Sequence, residues 1–149
     1  MTDKVFVDSN IWIYGLAESS LEKDRLKRRL SLKIFENFLK KEAHICISIQ
    51  VINECHWNFI RKFNIQDETA IKLIYENIVL ISEIKDIGFS TYRLSNDIRQ
   101  KYRLSFWDSL IIASALENNC LTLYSEDMQD GQIIEDRLKI INPFKGQGE

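Results

Sequence analysis

The fold is decided by Lys4-Val5-Phe6-Val7-Asp8-Ser9-Asn10, near the start of the 149-residue chain. The apolar half of this stretch is short, β-branched and uninterrupted, which is typical of a strand buried on both faces of a parallel sheet. From Ile11 the pattern becomes helical and breaks near Gly15. The stretch therefore predicts a buried strand with Asp8 at its carboxyl end, followed by a short helix.

The rest of the chain repeats this order of strand and helix. Ser48, Asp67 and Ser105 have the residue types and positions of helix N-caps. Alternating elements of this kind imply a single α/β/α domain with a central parallel sheet flanked by helices. We expect this domain to cover residues 1–143, with a flexible tail at 144–149. The predicted strands are 44–48, 79–81, 120–124 and 138–141, and the predicted helices are 21–41, 50–63, 67–79, 88–102 and 106–118.

The composition is that of an ordinary globular protein, with 45% hydrophobic and 28% charged residues and a formal net charge of -2. No apolar run approaches the roughly 18 residues that a membrane span needs, and the N-terminus has no signal-peptide pattern. A cytoplasmic location is therefore expected. The three cysteines lie in apolar segments, as reduced and buried thiols do.

Histidine and cysteine offer one alternative kind of site. His44, Cys46, Cys55 and His56 could together bind a metal ion, although their spacing matches no zinc finger or knuckle. Buried cysteines and surface histidines explain the same residues without a ligand, and we favour that interpretation.

Four acids, Asp8, Glu54, Asp108 and Asp127, form the stronger candidate site. Asp8 and Asp127 follow predicted strands, and the carboxyl ends of parallel strands meet at the edge where ligands bind. Each acid also has a structural explanation, since Asp8 and Asp108 can cap helices, Asp127 can stabilise a turn and Glu54 can lie on a solvated helix surface.

Together the acids are harder to explain structurally. Asp108 is part of an apolar helix, 106–116, and Asp8 directly follows three apolar residues. Carboxylates crowded at a buried edge repel one another and raise one another's pKa, unless a cation neutralises them. Hard divalent cations prefer carboxylate oxygens, so the pattern predicts a metal site.

Four segments, in this order, resemble the motifs of PIN-domain ribonucleases, particularly VapC-type toxins of toxin-antitoxin systems. They are Val5-Phe6-Val7-Asp8-Ser9-Asn10, Ser48-x-x-Val51-x-Asn53-Glu54, the helix 106–115 with Phe106-Trp107-Asp108, and Leu123-Tyr124-Ser125-Glu126-Asp127-Met128.

The resemblance implies a PIN-like fold and Mg²⁺-dependent endonucleolytic cleavage of RNA, with Mn²⁺ as a possible substitute. It also implies a homodimer and a cognate antitoxin protein whose tail inserts near the acidic site. The implied catalytic residues are Asp8, Glu54, Asp108 and Asp127, of which Asp8, Asp108 and Asp127 bind metal, and the implied supporting residues are Asn10 and Ser125. Asp130 is a possible further acid.

Basic clusters are candidates for RNA binding, although each can equally be a solvated helix face. The first, 22–42, has eight basic and four acidic residues, and the others are Arg61-Lys62 and Arg99, Lys101 and Arg103. The tryptophans are expected in the core or at an interface, without a substrate role.

Two enzymatic and two non-enzymatic hypotheses account for these residues. A toxin nuclease leads, and a housekeeping PIN nuclease of RNA processing or decay is the alternative. A receiver-like phospho-acceptor switch also places acids at strand ends, but it needs a paired acid at the first strand end, where Ser9 and Asn10 follow Asp8. A degenerate PIN scaffold is weaker, because all four acids are present.

Overall fold

A six-stranded sheet forms the centre of the computed structural model, which describes residues 3–146. The strands are β1 (Lys4–Val7), β2 (His44–Ser48), β3 (Ser82–Lys85), β4 (Thr122–Tyr124), β5 (Ile133–Ile134) and β6 (Leu138–Ile141). Their spatial order is β3-β2-β1-β4-β6-β5. All neighbouring strands run parallel except β5 and β6, which are antiparallel. The predicted α/β class is confirmed, and the sheet is mixed because of β5, which the sequence patterns did not predict.

Six α-helices flank this sheet in the described part of the chain. They are α1 (Ser9–Leu16), α2 (Glu22–Lys40), α3 (Ile49–Arg61), α4 (Asp67–Leu73), α5 (Phe89–Tyr102) and α6 (Phe106–Glu117). A π-helical segment, Ile74–Val79, continues α4. No helix in residues 3–146 is long and apolar enough to cross a membrane.

β1 lies at the centre of the sheet, between β2 and β4. Val5, Phe6 and Val7 are all buried, as the apolar run predicts. The Asp8 amide then donates to the Tyr124 carbonyl at 2.9 Å, which extends the pairing with β4 by one residue. The Asp8 side chain is thereby fixed at the carboxyl edge, directly beyond the central strand.

The predicted strand at 79–81 is wrong. The helix that begins at Asp67 continues through the π-helical segment, and Val79 and Leu80 are exposed instead of lying in a sheet. The strand follows at Ser82–Lys85, where the polar composition hid it from a search for apolar runs. A strand at the edge of a sheet tolerates such polar residues because only part of its surface is buried.

Of the three predicted N-caps, only Ser105 is confirmed, by its hydroxyl accepting a hydrogen bond from the Asp108 amide. Ser48 occupies the N-cap position of α3, but its side chain makes no capping bond. Asp67 is the first residue inside α4 instead of its cap, and its carboxylate pairs with His56 at 2.7 Å. Residue type alone therefore did not determine which side chain turns back onto the helix.

The chain after β6 packs back on the domain for as far as it is described. Phe144 is buried, and its ring meets that of Tyr14 edge-on at 5.4 Å. The expected flexible tail therefore begins with a packed residue. Its last part, residues 147–149, lies outside the described residues.

The two serines at N-cap positions form a matched pair for a stability test. Ser105→Ala should lower the free energy of unfolding by about 1 kcal/mol, because it removes a capping bond. Ser48→Ala should leave stability unchanged or raise it, because the Ser48 hydroxyl is buried without a hydrogen-bond partner among residues 3–146. Urea unfolding followed by circular dichroism measures both. Equal losses in the two variants would contradict the assigned caps.

Candidate active site

Asp8 is the most buried of the four acids, with 4% of its surface exposed. As the N-cap of α1, its Oδ1 accepts from the Ser9 amide at 2.8 Å. Its Oδ2 accepts from the Ser125 hydroxyl, also at 2.8 Å. Asp8 can thus cap α1 and also be part of the acidic site. Ser125 joins Asp8 to the segment after β4.

Ser125 and Asn10 link the first acid to the last. The Ser125 hydroxyl accepts from the Asp127 amide at 3.2 Å, while the Asn10 side-chain amide donates to Asp127 Oδ2 at 2.9 Å. Asn10 Oδ1 also accepts from the Glu126 amide at 3.3 Å. The supporting positions predicted for Ser125 and Asn10 therefore lie in direct contact with the acids, although Asp127 itself is exposed.

Glu54 is held by two side chains that the sequence did not indicate. The Ser9 hydroxyl donates to Glu54 Oε2 at 2.8 Å, and Gln50 Nε2 donates to Oε1 at 2.9 Å. Gln50 Nε2 also lies 3.3 Å from the Trp107 carbonyl. Glu54 on α3 is thereby joined to α1 and α6. The spacing of Gln50 and Glu54, one helical turn apart, was the available signal.

Asp108 lies in the first turn of α6 and is half-buried. The Ser105 cap fixes the start of this helix. The eight residues from Ser109 to Leu116 are all buried, as expected for a helix packed on the core. The carboxylate therefore lies at the point where a buried helix reaches the surface.

The four acids interact electrostatically. Burial, together with the charges of Glu54 and Asp127, raises the pKa of Asp8 to about 7, and the hydrogen bonds from Ser125 and Ser9 oppose this rise. Burial also raises the pKa of Asp108, with Asp127 and Glu54 acting in the same direction. Negative charge at this edge is thus only partly compensated by the protein itself.

A cleft of about 740 Å³ is lined by three of these acids, Glu54, Asp108 and Asp127. Trp57 and Trp107 line it with 62% and 64% of their surfaces exposed, whereas Trp12 is buried in the core. The tryptophans were expected in the core or at an interface, and two of the three instead lie exposed at the cleft. Their sequence signal was proximity to an acid, since Trp107 precedes Asp108 and Trp57 follows Glu54 by three residues. The full lining is Ile49, Gln50, Asn53, Glu54, Trp57, Asn58, Ile87, Trp107, Asp108, Leu110 and Asp127.

Arginines from two of the predicted basic clusters stack near this cleft. The Arg61 guanidinium lies 5.3 Å from the centre of the Trp57 ring, and that of Arg99 lies 5.2 Å from the Phe106 ring. In the basic helix α2, Lys27 instead forms an ion pair with Glu126, the neighbour of Asp127. Arg61 is exposed, whereas Arg99 is partly buried and donates from Nη2 to the Asn96 side chain at 2.7 Å.

The chemistry of the donor set fits a hard divalent cation. All four side chains offer carboxylate oxygens, and the raised pKa of Asp8 marks charge that a cation would neutralise. The carboxylates are not in tight contact. Among residues 3–146, the one group of three metal-binding side chains whose ligand atoms all lie within 4.8 Å of one another is elsewhere, at His44, Cys46 and Glu83.

The alternative metal set from the sequence does not assemble. His44 and Cys46 are close, but the Cys55 thiol donates to the Ser9 carbonyl at 3.8 Å. His56 pairs with Asp67. The four residues His44, Cys46, Cys55 and His56 therefore do not form a common site.

Comparison with known families agrees with this fold. The model of the PIN domain matches residues 5–129, a span that contains all four acids. The chain therefore belongs to the PIN domain family, as its motifs predicted. The comparison with curated protein sequences gave no match.

Solved structures with a similar fold include chains from toxin-antitoxin assemblies. A toxin-antitoxin complex from Klebsiella pneumoniae matches with a TM-score of 0.65 and 19% identity, over 93% of this chain and 97% of the other. VapBC2 from Rickettsia felis, bound to promoter DNA, matches with a TM-score of 0.65 and 16% identity, over 93% and 99%. VapC20 from Mycobacterium tuberculosis, a toxin that cleaves the sarcin-ricin loop, matches with a TM-score of 0.57 and 14% identity, over 80% and 86%.

The buried charge of Asp8 predicts a pH-dependent stability in the absence of metal. Because the pKa of Asp8 is about 7 in the folded state and its usual value is 3.8, the free energy of unfolding of the protein should fall as pH rises from about 4 to 7. Asp8→Asn removes this loss. In chelator, the variant should therefore gain stability over wild type as pH increases, by up to about 4 kcal/mol at pH 8.

Urea unfolding at pH 4 to 8 measures the difference. Asp97→Asn, an exposed position on α5, controls for the loss of one negative charge. A difference between Asp8→Asn and wild type that stays constant with pH would contradict the assigned burial of the Asp8 charge.

Proposed function

We propose that this protein is a Mg²⁺-dependent endoribonuclease, with Mn²⁺ as an alternative ion, and that it is the toxin of a toxin-antitoxin pair. The observation that carries the proposal is the arrangement of the acids. Asp8, Asp108, Asp127 and Glu54 come from four separate segments and interact electrostatically, and all but the buried Asp8 line an open cleft. Membership of the PIN family supports the nuclease activity.

Asp8, Asp108 and Asp127 would hold the ion, and Glu54 would orient a water molecule. When bound, Mg²⁺ acidifies a coordinated water and polarises a phosphoryl oxygen of the RNA. The protein's own groups fix this donor set. Ser125 and the Ser9 amide orient Asp8, Asn10 orients Asp127, and Ser9 and Gln50 hold Glu54.

RNA would enter through the cleft. Trp57 and Trp107 present exposed aromatic surface on which bases can stack, and such contacts tolerate many sequences. Arg61, next to Trp57, is placed to contact the phosphate backbone. The positive charge of Arg61 would offset part of the repulsion between RNA and an acidic site on a protein of net charge -2.

A protein partner belongs to the same proposal. The similar folds found in toxin-antitoxin complexes support a cognate antitoxin, whose tail would lie near the acids. Occupying the cleft would exclude RNA and inhibit cleavage. A homodimer is the proposed form of the toxin.

Cleavage should require both the metal and the acids. Wild type with Mg²⁺ should cut members of a panel of structured RNAs, including transfer RNA and a sarcin-ricin stem-loop. Asp8→Asn and Asp108→Asn should each lower the rate on the order of 100-fold or more, because each removes a carboxylate that would hold the ion, and the ion supplies the charge that stabilises the transition state. Gel analysis of end-labelled RNA, with and without chelator, measures the rates.

Asp97→Asn, which leaves the cleft lining unchanged, is the matched control and should cleave like wild type. Equal cleavage by wild type, Asp8→Asn and Asp108→Asn, with and without Mg²⁺, would show that the proposed site is not responsible.

Expression in a bacterial host separates a toxin from a housekeeping nuclease. Induced wild type should arrest growth, and Asp108→Asn should not, although both accumulate to the same level on immunoblots. A small protein encoded beside this gene should restore growth and bind the toxin. Cleavage in vitro together with normal growth would favour the housekeeping alternative.

A further inference from the structure

A second group of metal-binding side chains lies away from the acidic cleft. His44 is the first residue of β2, Cys46 follows two residues later, and Glu83 is opposite Cys46 on β3. Alternate residues of a strand, and directly paired residues of neighbouring strands, share one face of a sheet. The three side chains therefore project from the same face, toward the amino ends of the strands.

The ligand atoms of these three residues already lie close together. One imidazole nitrogen, one sulfur and one carboxylate oxygen are all within 4.8 Å of one another. His44 Nε2 contacts Glu83 Oε2 directly. Both of these atoms are of types that bind metal ions, so an ion could replace the proton between them.

Cys46 is buried, and its sulfur belongs to this group of three. Cys120 is also buried, just before β4, but is not a member of the group. The site thus offers one nitrogen, one oxygen and one sulfur donor.

We propose that His44, Cys46 and Glu83 bind a zinc ion. Thiolate and imidazole ligands favour zinc over magnesium, whereas the carboxylates of the cleft favour magnesium. Three protein ligands leave the fourth position of a tetrahedral zinc ion to water. The ion joins the edge strand β3 to β2.

The charges around the site are compatible with a bound ion. Lys85 pairs with Glu83 Oε1, which leaves Oε2 for the metal and fixes the orientation of the carboxylate. Lys4 adds a second positive charge near the Cys46 thiol, and Glu83 offsets it. Solvent reaches the site through His44 and Glu83, whose side chains are 46% and 37% exposed.

Cobalt distinguishes this site from the acidic one, because only a thiolate site gives a sulfur-to-cobalt charge-transfer band. Metal-free, reduced protein carrying Asp108→Asn should bind one equivalent of Co²⁺ with this band, and Zn²⁺ should displace it. Cys46→Ser should abolish the band. Cys55→Ala should retain it, because Cys55 is a buried thiol in a different part of the core. Circular dichroism verifies that the variants are folded.

Thermal unfolding gives a second measurement through an exposed ligand. Zn²⁺ should raise the melting temperature of the Asp108→Asn protein, because an ion that binds only the folded state stabilises it. Adding His44→Ala should weaken Zn²⁺ affinity by about 10-fold or more. Absence of the cobalt band, or its survival in Cys46→Ser, would overturn the zinc site and leave the nuclease proposal unaffected.

Discussion

The carboxylate of Asp8 is fixed at the buried end of the central strand, and the candidate site is built around this constraint. Its backbone continues the pairing of β1 with β4, so its side chain cannot turn away into solvent. Two hydrogen bonds stabilise the charge, and burial and neighbouring acids oppose it. The protein therefore keeps an unfavourable negative charge at this edge. Such charges are common at sites where binding a ligand offsets the loss of stability.

Much of this arrangement could be predicted from the sequence because apolar runs identify buried strands. Val5, Phe6 and Val7 gave the position of β1, and with it the place of Asp8. β3 was misplaced because an edge strand carries polar residues such as Glu83 and Lys85, and the apolar residues just before it belong to a helix. Hydrophobic periodicity identifies strands and helices by the apolar residues that they bury. It therefore fails for an element, such as β3, that buries few of them.

The acids and their direct supports followed from strand ends and family motifs, whereas the surroundings of the site did not. Gln50 links Glu54 to Trp107 across two helices, a contact that depends on how α3 and α6 pack. The exposure of Trp57 and Trp107 is also a tertiary property. A large aromatic side chain is usually assigned to the core from sequence alone, and only the packed structure shows that these two face the cleft.

The polar edge of β3 also limits how this protein can associate with itself. Glu83 and Lys85 form an ion pair there, and charged side chains on an edge strand oppose the addition of another strand. At the opposite edge, β5 is only two residues long and offers few backbone groups for pairing. Neither edge is suited to continue the sheet into a second molecule. If this chain forms a dimer, we therefore expect its interface to lie away from the sheet edges, with the two sheets separate.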